Sequence, residues 1–285
     1  MSTTVVIHES TNTSLAKRIA KNLGVESIEV KPTVFPNGEV KIHGNHIEVK
    51  QAIVIFPKIH DINRQLIEFM LMCGLCKGCT TIDAVIPYIP HARQNDTVAH
   101  AMILKIFGVC RLRLVVTVDI HNPRILDSYN IINILPHEIF ANVIEKQPNL
   151  LVVAPDRGAI HRAQKFADAI GADVVFINKN SESISNANAV AGMECIIIDD
   201  IIDSGRTISL ATNLLRSNGC ASVSACISHG FFATGTWHQP SLDDLYISES
   251  FDLHKQVTFK NLRITKLDNL ISAALSDRPT HTERN

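Results

Sequence analysis

The sequence predicts an α/β protein of two doubly wound domains, each a mostly parallel sheet with helices on both faces. Three observations lead there. Short runs rich in β-branched residues alternate with amphipathic helical patterns along the chain. Those runs are apolar throughout, as strands covered on both faces are. The order strand, polar turn, helix also occurs in both halves, as "VVTVDIHNP" at residues 115–123 and "IIIDDIIDSG" at 196–205. At 285 residues the chain exceeds the ~250 that one core usually organises.

In chain order, "TTVVIHE" reads as a strand and "TSLAKRIAKNLG" as a helix stopped by Gly24. "VKIHG" and "AIVIFP" follow as strands, and "INRQLIEFMLMCGLCK" as a helix. Then come "TIDAVIPYIP" (strand), "VAHAMILKIFG" (helix), "RLVVTVDIH" (strand), "LPHEIFANVIEK" (helix) and "LLVVAP" (strand). "GAIHRAQKFADAIG" is a helix, "DVVFIN" and "ECIIIDD" are strands, and "TISLATNLLRSNG" is a helix. "SVSACISH" and "DDLYISES" are strands, and "LDNLISAAL" is the last helix. Polar "EKQPNL", residues 145–150, is the expected boundary, giving domains 1–146 and 147–285. The tail "SDRPTHTERN" is polar and expected to be mobile.

Composition excludes several classes. Lys plus Arg (27) against Asp plus Glu (28) gives a net charge of −1, which argues against broad binding to nucleic acid or an anionic membrane. No apolar stretch is long enough to cross a bilayer, and no signal-like segment opens the chain, so a cytoplasmic protein is expected. Seven cysteines, an odd number, fit reduced thiols. Cys73, Cys76 and Cys79 in "CGLCKGC" have metal-like spacing but lack a fourth ligand nearby and follow an apolar helical face, so they read as structural thiols.

The chemistry concentrates in "CIIIDDIIDSGRTI", residues 195–208. Cys195 to Ile198 read as a buried strand and Ile208 onward as a helix, which puts Asp199, Asp200 and Asp203 in the turn between them. Open parallel sheets bind their ligands in such turns. Gly205 permits a tight backbone path, Ser204 and Thr207 offer hydroxyls, and the next helix turns its free amides and positive dipole end toward the loop. Together they suit a phosphate monoester, with Asp199 and Asp200 as acceptors for sugar hydroxyls. A helix cap at Asp203 or Ser204 would explain one acid but not the pair.

This stretch resembles the phosphoribosyl-pyrophosphate-binding signature, which type I phosphoribosyltransferases and ribose-phosphate pyrophosphokinases share. The rest of the chain resembles the pyrophosphokinases, in order across residues 4–275. "VFPNGEVKI" is similar to their Phe-x-Asp-Gly-Glu segment and "VIPYIPHARQN" to their Ile-Pro-Tyr…Ala-Arg-Gln-Asp. "TVDIHNP" is similar to their Asp-Leu/Ile-His strand end, "VVAPDRGA" to their Pro-Asp-x-Gly-Ala helix start, and "INKN" to the opening of their catalytic loop. The short length is nearest to compact archaeal-type members.

The resemblance implies two phosphoribosyltransferase-like domains with the active site in the cleft between them. It implies transfer of the β,γ-diphosphoryl group of ATP to the anomeric hydroxyl of ribose 5-phosphate, giving phosphoribosyl pyrophosphate and AMP for nucleotide biosynthesis. Asp203, Ser204, Gly205 and Thr207 would hold the 5-phosphate, and Asp199 and Asp200 the ribose hydroxyls. Arg93 and Gln94 would contact ATP. Phe35, Asn37 and Glu39 would bind the adenosine part, from a neighbouring subunit, so the working unit would be a homodimer or higher homo-oligomer. His121 and Asp156 would serve the Mg²⁺-ATP site, and Lys179 would be catalytic, reaching over the phosphates. The last helix, 267–275, would pack on the first domain.

Three departures stand out. "NDTVAHAMILKIF" enters a helix almost directly after "ARQ", and this shortened region makes allosteric control by phosphate or ADP unexpected. The family follows its loop lysine with an arginine within two residues, where this chain has Asn180 and Ser181, so that Arg157, Arg162 or Arg206 would have to substitute for it. The family's Thr/Val-His-Pro reads "SHG" at 228–230. Two other readings stay open: a weakly active or inactive paralogue that binds nucleotide or sugar phosphate and regulates a partner, and a type I phosphoribosyltransferase. The latter needs only one such domain and no "ARQ" or "NGE" element.

Overall fold

The apolar runs become the central strands of two seven-stranded sheets in the computed structural model. It describes residues 4–58, 61–93, 97–145, 147–232, 239, 241–251, 259 and 261–276. The chain divides into two units, Met1–Ile134 with Leu267–Asn285, and Leu135–Lys266.

The first unit contains β1 (Thr4–Glu9), α1 (Thr13–Leu23), β2 (Glu26–Val34), β3 (Val40–His43), β4 (Gln51–Ile55) and α2 (Ile62–Leu75). It continues with β5 (Thr81–Val85), α3 (Thr97–Val109), β6 (Leu112–Val118) and β7 (Ile131–Ile134). Its sheet runs β3-β2-β1-β4-β5-β6-β7, parallel except for the β2–β3 hairpin. The second unit contains α4 (Pro136–Phe140), β8 (Leu150–Ala154), α5 (Ile160–Ile170), β9 (Asp173–Asn178), β10 (Ser183–Ile184) and β11 (Glu194–Ile202). After them come α6 (Arg206–Ser217), β12 (Ser222–Gly230), β13 (Asp244–Ser248) and β14 (Leu262–Thr265). Its sheet runs β10-β9-β8-β11-β12-β13-β14, parallel except at β10.

The last helix, α7 (Asp268–Ser276), returns to the first unit. Arg18 Nε donates to Asp268 Oδ1 at 2.8 Å, tying α7 to α1. The two units part at Ile134/Leu135, ahead of the Pro148 stretch, because α4 packs with α5 and β12 rather than with the first sheet. The helix read at "LPHEIFANVIEK" ends at Phe140 and continues as turns. The first core gathers Phe56, Phe69, Met72 and Phe107 together with Cys73, Cys76, Cys79 and Cys110. All seven thiols are free and buried.

Four strands escaped the sequence reading. In β2 the exposed charges of "ESIEVKPTV" and Pro32 break the apolar run, and only Val30 is buried. The others, β7, β10 and β14, are short.

Candidate active site

In the second sheet the strand order reverses between β8 and β11. From there the chain winds outward to β9 on one side and to β12, β13 and β14 on the other. Such a reversal opens a crevice at the carboxyl ends of the two strands. β8 stops pairing at Val153↔Ile197, whereas β12 accompanies β11 as far as Ile202↔Gly230. The free flank of β11 therefore borders the crevice beyond Ile197.

This corrects the reading of Asp199 and Asp200 as turn residues. β11 runs through them to Ile202, and they are 7% and 4% exposed. Arg162, on the first turns of α5, answers both: its Nη1 lies 3.7 Å from Asp199 Oδ1 and its Nη2 3.2 Å from Asp200 Oδ2. The Asp200 backbone N–H also donates to Asp199 Oδ1 at 3.0 Å. Burial pushes the Asp199 carboxyl well above the usual carboxylate range; the neighbouring Asp200 charge adds to this, and the Arg162 guanidinium offsets part of it.

The turn proper is Asp203, Ser204 and Gly205, and α6 begins at Arg206 rather than at Ile208. Gly205 sits at φ 74° in the left-handed region and is the N-cap of α6, a position with no side chain of its own to cap the helix. The first-turn amides therefore face the loop, together with the positive end of the helix dipole. The N-cap position is Gly205 rather than Asp203 or Ser204.

After β8 the chain enters a short 3-10 turn, Arg157–Ala159, capped by Asp156, whose Oδ1 accepts from the Ala159 N–H at 3.1 Å. A side chain at Gly158 would press on that oxygen, since a Cβ there would lie 3.2 Å from Asp156 Oδ1. Lys179, just past β9, donates from Nζ to Asp156 Oδ2 at 2.7 Å and to Thr207 Oγ1 at 3.1 Å. The crevice thus assembles Asp156, Lys179, Asp199, Asp200, Gly205 and Thr207. The sequence offered Arg162 only as one of three arginines that could replace the missing loop arginine, and its place beside the aspartate pair was not foreseen; its signal was an arginine six residues after Asp156 on an amphipathic helix.

The remaining expected site residues lie on the first unit. Phe35, Asn37 and Glu39 form the exposed tip of the β2–β3 hairpin. There the Phe35 N–H donates to Glu39 O at 2.8 Å and the Glu39 N–H to Asn37 Oδ1 at 3.1 Å. His121 is exposed, three residues past the end of β6. Just before it Asp119 takes φ 36°, a region that few non-glycine residues occupy. Arg93 is exposed; Gln94 lies outside the described residues.

Comparison with known proteins decides the family. A model described as the N-terminal domain of ribose phosphate pyrophosphokinase matches residues 4–107, and one for the phosphoribosyl transferase domain matches 124–241. A ribose-phosphate pyrophosphokinase of Listeria ivanovii is 31% identical over 77% of this chain and 76% of its own length. The chain belongs to the ribose-phosphate pyrophosphokinase family. It is a transferase, as the resemblance implied. A Listeria monocytogenes member is 29% identical over 93% of this chain and 89% of its own. One from Prochlorococcus marinus is 28% identical over 95% and 89%. In fold, the chain matches the crystal structure of phosphoribosylpyrophosphate synthetase from Mycobacterium smegmatis with a TM-score of 0.83. That match covers 97% of this chain and all of the other, at 22% identity. The two doubly wound α/β domains read from the sequence are borne out.

Proposed function

We propose that this chain transfers the β,γ-diphosphoryl group of ATP to the anomeric hydroxyl of ribose 5-phosphate, yielding phosphoribosyl pyrophosphate and AMP for nucleotide biosynthesis. One observation carries the reading: a buried, arginine-backed carboxylate pair beside a helix N-terminus that starts at Gly205, at the reversal point of the second sheet. A pentose phosphate answers both halves of that arrangement. Asp199 and Asp200 accept its 2- and 3-hydroxyls, and the amides and hydroxyls of Asp203, Ser204, Gly205 and Thr207 hold its 5-phosphate.

Lys179 bridges Asp156 and Thr207 without substrate, and its exposed ammonium exchanges these contacts for phosphate oxygens when substrates bind. The unit Leu135–Lys266 in this reading forms the ribose-5-phosphate domain, and Met1–Ile134 with Leu267–Asn285 forms the ATP domain. Arg93 and Gln94 touch the nucleotide. Phe35, 43% exposed at a hairpin tip, enters a neighbouring subunit's adenine pocket with Asn37 and Glu39 in this reading, and a homo-oligomer is then the working form. The protein acts in the cytoplasm.

Mg²⁺ suits this donor set. It takes few protein ligands and prefers hard oxygens, and Asp156 offers a half-exposed carboxylate. Asp156 and His121 would hold it with the ATP phosphates. When bound it neutralises phosphate charge. What the chain itself contributes is alignment and positive potential, the two needs of phosphoryl transfer.

The test is AMP release from Mg²⁺-ATP and ribose 5-phosphate. AMP should form at least ~10³-fold faster with the wild-type protein than with Lys179→Ala. Equal rates would defeat the active-enzyme reading in favour of a non-catalytic paralogue. Pyrophosphate release from phosphoribosyl pyrophosphate and a base would favour a phosphoribosyltransferase.

A further inference from the structure

We infer that Arg157 and Arg206 together supply the guanidinium charge on the transferred diphosphoryl group, because the loop after Lys179 has Asn180 and Ser181 and no arginine. The inference rests on the diphosphokinase reading above and deepens it.

Charge balance around the crevice comes first. Asp156, Asp199, Asp200 and Asp203 bring up to four negative charges to a site that is to receive two phosphate-bearing substrates. The Arg162 guanidinium is committed to Asp199 and Asp200, and its side chain is 12% exposed, so it has no freedom to reach a phosphate. The Lys179 ammonium is shared between Asp156 and Thr207. One lysine cannot by itself offset both the carboxylates and a moving diphosphoryl group.

Position comes next. The two anchors of Lys179 are the residues immediately before Arg157 and immediately after Arg206. Consecutive Cα atoms are ~3.8 Å apart, so both arginines spring from backbone one residue away from the contacts that hold the ammonium. Arg157 opens the 3-10 turn after β8, and Arg206 opens α6, so the two flank Lys179 on separate loops. Both are exposed. Among the described residues neither guanidinium has an ion pair or a side-chain hydrogen bond. Two uncommitted guanidiniums beside the lysine of a phosphoryl-transfer site match what that chemistry demands.

The step they serve is a substitution at phosphorus. The anomeric oxygen of ribose 5-phosphate forms a bond to the β-phosphorus of ATP. The bond from that phosphorus to the α,β-bridging oxygen breaks, AMP leaves with the bonding electron pair, and the hydroxyl proton passes to water. Negative charge grows on the bridging and equatorial oxygens, and planar guanidiniums pair with such oxygens in bidentate fashion.

The test uses the full chain, with steady-state AMP formation at saturating substrates. Arg157→Gln and Arg206→Gln should each lower kcat ~10–100-fold and the double variant ~10³-fold, with KM for ribose 5-phosphate moving far less. Adding Ser181→Arg to the double variant, which restores a guanidinium on the lysine loop, should recover kcat at least ~10-fold. A rescue of this kind cannot come from a merely structural role. A double variant with wild-type kcat, or a loss that Ser181→Arg leaves unchanged, would overturn the assignment while leaving the diphosphokinase reading intact. A wild-type protein that forms no AMP would instead overturn the diphosphokinase reading, and the arginine assignment with it.

Discussion

Replacing Arg162 with glutamine would remove the guanidinium that faces Asp199 and Asp200, which are buried side by side. At the observed separations of 3.7 and 3.2 Å, and an effective dielectric of ~20, each attraction is worth about 5 kcal/mol before desolvation is charged against it. Removing one partner of a buried pair typically costs about 3–5 kcal/mol, which is a large share of a domain's stability. The pH dependence carries the diagnosis. Asp199 in the folded protein already holds its proton well above the ordinary value of 3.8, because of burial first and Asp200 second. A carboxyl with a raised folded pKa binds more protons folded than unfolded. Its contribution is therefore fully present below the unfolded pKa and is lost as pH rises through the folded one. Without Arg162 the folded value climbs further, so the destabilisation should be small near pH 4.5 and grow toward pH 8. Urea unfolding of both proteins across that range reads it directly, and KM for ribose 5-phosphate should rise in parallel. A penalty that is flat with pH, or greatest in acid, would refute the claim that Arg162 acts as counter-charge to the pair.

Two further outcomes follow from single positions. Gly205→Ala forces a Cβ into the left-handed region at φ 74°, which should cost about 1–2 kcal/mol in urea unfolding and should weaken ribose 5-phosphate binding measured by calorimetry. The Cys76 and Cys195 thiols are each pushed up to about 12, by burial first and by Cys79 or Cys220 next. They should resist alkylation in the native protein at pH 8 and be modified in urea, as site-resolved mass spectrometry would show.

The aspartate signature was legible because its spacing along the chain is its geometry in space: one strand end, one glycine turn and one helix start lie within fourteen residues, 195–208. Arg162 was not, because its meaning depends on which strand lies beside α5, and the pairing of β8 with β11 is a long-range fact. The extent of β11 was misread for a similar reason. Asp199 and Asp200 look like the end of a strand only if the neighbour ends too, and β12 does not. The same logic separates the two sheets. The first also reverses its strand order, between β1 and β4, and so has its own crevice. There the loop after β1 satisfies itself: Glu9 accepts from Ser10 Oγ at 2.6 Å and from the Thr11 N–H at 3.1 Å, and Asn12 Nδ2 donates to Phe56 O at 2.7 Å. A carboxylate folded into its own turn occupies the place a phosphate would take and repels one besides. In the second sheet the equivalent turn, after β8, is closed in the same way by Asp156, which accepts from the Ala159 N–H at 3.1 Å, whereas the turn after β11 starts its helix at Gly205, which has no side chain to fill it. Two copies of one topology thus close the turn after the matching strand, β1 or β8, with an acid at or just past the strand end, and the second crevice is set apart by the glycine that opens the helix after β11.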